Sequence, residues 1–113
     1  MSLGVRTTDQ LANARKRGWV VDVPVNSRGV PDRTKMLPGD LLYFAGNDES
    51  RRAYDYVGHV EMYVGGRYLM GHGSGKGPTV KRIGIYCKAR QRGKAPTKRG
   101  NRGLIAVVRP IQD

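Results

Sequence analysis

Val57-Gly58-His59-Val60-Glu61-Met62-Tyr63-Val64 and Arg67-Tyr68-Leu69-Met70-Gly71-His72 are two β-rich runs joined by Gly65-Gly66. A tight two-residue hairpin loop needs positive φ, which glycine adopts without steric cost. With Gly65 and Gly66 as the loop, Val64 faces Arg67, Tyr63 faces Tyr68, Glu61 faces Met70 and His59 faces His72. Directly opposite residues share one face of a sheet, with Cβ atoms about 4.5–5.5 Å apart. The expected register therefore sets the chain's two histidines side by side. A slip of one residue would send them to opposite faces.

Paired imidazoles admit three readings. Histidine titrates near neutral pH and is the side chain most easily tuned for proton transfer. It is also a common zinc ligand, but zinc needs a third and usually a fourth donor. Glu61 is the only candidate on the expected face, so metal is the weaker option. The plain alternative is a structural pair with no chemistry.

Working outward, Thr7-Thr8-Asp9-Gln10 has the form of a capping box and predicts a short helix to about Arg17, with Gly18 as its stop. Asp9 sits near the positive end of that helix and Arg15, Lys16 and Arg17 near its negative end. Trp19–Val25, interrupted by Pro24, predicts an edge strand or a short piece. Leu37-Pro38-Gly39-Asp40 predicts a tight turn feeding the strand Leu41-Leu42-Tyr43-Phe44. After the hairpin come a Gly-rich segment, a short strand around Val80–Ile85, a basic flexible loop over 88–103, and a closing strand over Leu104–Val108. The expected fold is α+β: a small, mostly antiparallel sheet of about five strands with one N-terminal helix, in a single domain spanning 1–113.

Composition limits the function classes. At 113 residues the chain is one domain with a modest core. No apolar run approaches the length of a membrane span, and no signal-peptide pattern opens the chain. The single cysteine, Cys87, excludes an internal disulfide. Its setting predicts a structural thiol at a strand end, although neighbouring positives could lower its pKa. After Glu61 no acidic residue appears until Asp113, and the stretch between them holds twelve Lys and Arg, a number equal to the net charge of +12. Such a one-sided field implies a polyanionic partner: nucleic acid, an anionic membrane surface, or an anionic bacterial wall polymer. Lys88, Arg90, Arg92, Lys94, Lys98, Arg99 and Arg102 are the candidate polyanion-binding residues. The tyrosines interleave with basic residues in a way that suits stacking on single-stranded nucleic acid, but alternate tyrosines also suit plain sheet packing. Gly71–Gly77 departs from the phosphate-binding G-x-x-x-x-G-K-[ST] pattern.

Leu37–Phe44, Gly58–Gly65 and Tyr68–His72, in that order and spacing, resemble the second half of an NlpC-type cell-wall peptidase. Arg6-Thr7-Thr8-Asp9-Gln10 is similar to the helix start that precedes the sheet in that family, and Leu104–Arg109 to its closing strand. The family comprises papain-like cysteine peptidases that cut the peptide stems of peptidoglycan. The resemblance implies His59 as general base and His72 as the residue orienting it. Glu61 stands where the family usually has Gly. It would hold an imidazolium, narrow the cleft or bind a cationic group, or else be an exposed edge charge paired with an arginine.

The family's nucleophilic cysteine lies in a D-C-S-G motif before the helix, and the present sequence has no such motif. Cys87 follows both histidines, and the expected loop after it is too rich in Gly and Pro to give that thiol a helix. The expectation is thus the histidine-bearing part of a wall hydrolase, of phage lysin or tail type. It would act at the bacterial wall without a cofactor, inactive alone unless a partner chain or an N-terminal segment supplies the thiol. The alternatives are a non-catalytic module on wall polyanions and a nucleic-acid-binding protein. A missing first helix would also expose apolar sheet surface and favour self-association.

Overall fold

The computed structural model describes residues 7–45, 57–73, 77–92 and 103–110. Helix α1 spans Thr7–Lys16, followed by β1 (Val20–Val21), a single 3-10 turn (Arg33–Lys35), β2 (Leu41–Ala45), β3 (Val57–Gly65), β4 (Tyr68–Gly73), β5 (Gly77–Arg82), α2 (Ile83–Arg92) and β6 (Leu104–Val108). The strands form one sheet in the order β1-β6-β2-β3-β4-β5, with every pairing antiparallel. This is an α+β fold, with one strand and one helix more than the sequence predicts.

Helix α1 ends as its sequence requires. Gly18 takes φ +73°, Trp19 N–H donates to Ala14 O, and Gly18 N–H donates to Arg15 O, which together make a Schellman stop. Leu11 and Ala14 face the sheet and pack with Tyr43, Ala106 and Val108. The opposite face is the larger core. There Leu42, Phe44, Tyr63, Leu69 and Val107 meet Ile83 and Cys87 of α2. Phe44, Leu42 and Leu69 are fully buried, each contributing about 1.5–3 kcal/mol.

The Leu37–Asp40 turn holds as expected, with Gly39 at φ +99° and Asp40 N–H donating to Leu37 O. Its buried Asp40 carboxylate accepts from Leu37 N–H and from both arms of the Arg109 guanidinium, each at 2.8 Å. That fork ties the turn to the residue after β6. Beyond α1, the same face of β3–β5 leaves Met62, Val64, Tyr68 and Val80 exposed.

Two expectations are corrected. The first is the hairpin register. Met62 pairs with Met70, Tyr63 with Leu69 and Gly65 with Tyr68, with a bulge between Tyr63 and Gly65. Gly65 uses its positive φ (+101°) in the bulge, and the two-residue turn becomes Gly66-Arg67 with Gly66 at φ +57°. Gly66 O accepts from Tyr63 Oη at 2.6 Å and from Arg33 Nη1 at 3.1 Å, which anchors this turn in place of the expected one. The whole ladder moves by one residue. His59, Glu61, Tyr63, Leu69 and position 71 then form one row, while position 72 falls in the other row with Met70 and Tyr68. His59 does not face His72.

The second correction concerns 83–92. The expected strand ends at Arg82, and α2 follows with no loop between them. Ile83 and Cys87 are buried, Tyr86 and Arg90 half-buried, and Ile85 and Lys88 exposed, a spacing of three and four residues. Lys88–Arg92 is therefore helical rather than part of a flexible loop, and Cys87 lies inside a helix rather than at a strand end. Residues 93–102 of the expected loop, with Lys94, Lys98, Arg99 and Arg102, lie outside the described residues.

Candidate acid–base site

The site grows from strand periodicity. His59 and Glu61 are two apart on β3, so both point to the α2 side of the sheet. Phe44 of β2 is directly opposite His59, and Leu42 opposite Glu61. Burying the carboxylate of Glu61 among these residues requires partners, because an unpaired buried charge is costly. It has two. His59 Nε2 lies 2.5 Å from Oε2, and Lys81 Nζ of β5 donates to the same oxygen at 2.9 Å. The side chain of Glu61 is 0% exposed, against 25% for His59 and 22% for Lys81. Its other oxygen, Oε1, is buried without a hydrogen bond.

Lys81 reaches Glu61 across β4, and Gly71 makes the crossing possible. A Cβ at position 71 would lie 2.5 Å from Cδ, Oε1 and Oε2 of Glu61. The glycine thus leaves the space that the carboxylate fills. Burial alone would raise the pKa of Glu61, but the hydrogen bonds and charges of His59 and Lys81 outweigh it and hold the carboxyl below its ordinary value.

An aromatic corner encloses the imidazole. The His59 ring centre lies 6.5 Å from that of Phe44 and 6.2 Å from that of Tyr86, and these two rings meet edge to face at 5.5 Å. Lys81 Nζ sits 4.9 Å over the Tyr86 ring, and the Arg90 guanidinium 5.2 Å over Phe44. Arg90 also donates to Ala45 O at 2.8 Å. Burial raises the Tyr86 hydroxyl above its ordinary value, so it stays protonated at neutral pH.

When the imidazole is neutral and donates Nε2–H to the carboxylate, its lone pair lies on Nδ1. No described residue bonds Nδ1. The arrangement is an imidazole oriented by a buried carboxylate, which is chemically able to take up or release a proton. Cys87 is not its partner. Burial, reinforced by the Glu61 charge, pushes the thiol up to about 12, so it stays protonated and shielded.

The structure thus brings His59 together with Glu61, and the edge-charge expectation for Glu61 gives way to full burial. The side chains of His72 and Arg92 lie outside the described residues. Lys88 and Arg90 part company: Lys88 is exposed on α2, whereas Arg90 is committed to Ala45 O and the aromatic rings. Lys81 and Tyr86 escaped the sequence reading. The spacing Ile83, Tyr86, Cys87, Arg90 carries the signal for Tyr86, and nothing short of the β4–β5 register gives Lys81. Among the described residues no three His, Cys, Asp or Glu side chains gather as a metal-binding set, and no helix is long and apolar enough to cross a membrane. No family model, curated protein or solved structure matches the chain.

Proposed function

We propose that this chain is the histidine-bearing half of a hydrolase that cuts the peptide stems of peptidoglycan, of the kind found among wall-acting phage lysins and tail proteins. The observation supporting it is the His59–Glu61 pair: a partly exposed imidazole, held through Nε2 by a buried carboxylate, with Nδ1 left to act on a proton. Glu61 takes the orienting part that the resemblance gives to His72. Cys87 is the only cysteine of the sequence and is buried, so the attacking thiol comes from a partner chain or a further segment of the protein. His59 Nδ1 accepts the thiol proton as sulfur attacks the stem carbonyl. The imidazolium then returns that proton to the leaving amine, and water hydrolyses the thioester with His59 again as base.

The test is titration of a muramyl tetrapeptide into the ¹⁵N-labelled chain, with parallel incubation on purified sacculi. Amide shifts centred on His59, Glu61 and Tyr86, lost in His59→Ala, are expected. No shifts at these positions, or sacculus cleavage that survives His59→Ala, would sink the proposal. A second reading, non-catalytic polyanion binding, is favoured by Arg82 at the end of β5 and Lys88 on α2, which have no ion-pair partner among the described residues.

A further inference from the structure

Lys88 stands between two cavities. One, of about 230 Å³, is lined by Arg33, Arg67, Arg82 and Lys88 together with apolar side chains that include Val30 and Ile85. The other, of about 440 Å³, is lined by Ser27, Arg28, Lys88 and Gln91. Among the described residues no acidic side chain lines either cavity. Arg67, Arg82 and Lys88 have no ion-pair partner among the described residues.

The cations are gathered by the fold rather than scattered on it. Arg33 is fastened to the hairpin turn through Gly66 O at 3.1 Å. Ile83 N–H donates to Arg67 O at 2.8 Å, which sets Arg67 beside the β5–α2 junction that carries Arg82. Gln91 Nε2 donates to Ser27 O at 3.1 Å and ties the loop bearing Arg28 to α2. Like charges held this close repel one another until an anion enters.

The chemistry of the lining selects the anion. Three guanidinium groups and an ammonium around one small cavity exceed what a single carboxylate satisfies, while a phosphate presents oxygens to several forks at once. Two cavities sharing Lys88 fit successive anionic groups on one chain. Among the described residues no aromatic side chain that would stack on a base lines either cavity, and Val30 and Ile85 suit an aliphatic linker.

We propose that Arg28, Arg33, Arg67, Arg82 and Lys88 form a binding track for a polyol-phosphate polymer, in which phosphodiesters alternate with short aliphatic polyols. This rests on the polyanion-binding reading and is independent of His59. The test compares poly(glycerol phosphate), oligothymidylate and polyglutamate of matched charge number, by calorimetry and by amide shifts of the ¹⁵N-labelled chain. Poly(glycerol phosphate) should bind tightest and move the amides of Arg67, Arg82 and Lys88. The double variant Arg67→Ala/Arg82→Ala, both exposed positions, should weaken it at least about tenfold, as loss of charge-assisted bonds to phosphate requires. His59→Ala should leave it unchanged, which separates this site from the acid–base site. Equal or tighter binding of oligothymidylate or polyglutamate, or an unchanged affinity in the double variant, would overturn the proposal.

Discussion

Replacing Gly71 by Ala adds one methyl group, yet the structure assigns it a large penalty. The new Cβ would come within 2.5 Å of three atoms of the Glu61 carboxyl group. Strain of this kind is normally relieved by moving the far end of a flexible side chain. Here that end is buried and held by both His59 and Lys81, so yielding means loosening two charged contacts out of water. Removing one partner of such a buried pair outright costs about 3–5 kcal/mol, so displacing the carboxylate without deleting it should cost about 2–3 kcal/mol. In a domain of this size that lowers the melting temperature by about 8–12 °C. The decisive assay is a double-mutant cycle by urea unfolding. In a Glu61→Ala background the space is free, and Lys81 and His59 reach water through their exposed portions, so Gly71→Ala should be almost silent. A coupling of about 2 kcal/mol is expected, and one below about 0.5 kcal/mol would refute the reasoning.

Acid should act through the same carboxylate. The folded-state pKa of Glu61 lies below its ordinary 4.5, so its contribution is complete above that value and is lost as the pH falls through the lower folded value. The urea midpoint should therefore fall more steeply between about pH 5 and 3 in the wild type than in Glu61→Gln, and parallel acid limbs would contradict this. Arg109→Ala leaves the buried Asp40 carboxylate without its fork and should cost about 2 kcal/mol by urea unfolding, with Arg109→Lys recovering less than half because an ammonium lacks the paired geometry. Cys87 should resist alkylation by iodoacetamide in the native chain at pH 8 and react readily in denaturant, read by mass spectrometry, because its thiol is buried and pushed up to about 12.

Much of the fold was legible wherever local chemistry decides the backbone. Gly18 marks the end of α1, Pro38-Gly39 marks the turn before β2, and the His59-Val60-Glu61-Met62-Tyr63-Val64 run marks β3. The hairpin was legible as a hairpin but not in its register, because two adjacent glycines both permit positive φ and the sequence does not say which serves the turn. Bonds from Tyr63 and Arg33 to Gly66 O decide it, and both depend on tertiary placement. Helix α2 was missed because only Ile83, Tyr86 and Cys87 carry its apolar period, and an Ile-Gly-Ile-Tyr start reads equally well as strand. His59 was singled out for proton transfer from residue type and spacing. Glu61 was legible as a residue able to hold the imidazolium, but its burial was not, since that depends on a missing side chain one strand away.

That dependence reaches beyond this molecule into how its sequence can drift. Positions 59, 61, 71 and 81 should be inherited together. A shorter residue at 61 removes the reason for glycine at 71, and any side chain at 71 penalises glutamate at 61. Loss of the carboxylate likewise strands the lysine at 81. Descendants that keep the acid should keep the glycine and the lysine with it. Those that abandon it are free to fill position 71, and the order of replacement is constrained: glutamate leaves before glycine does.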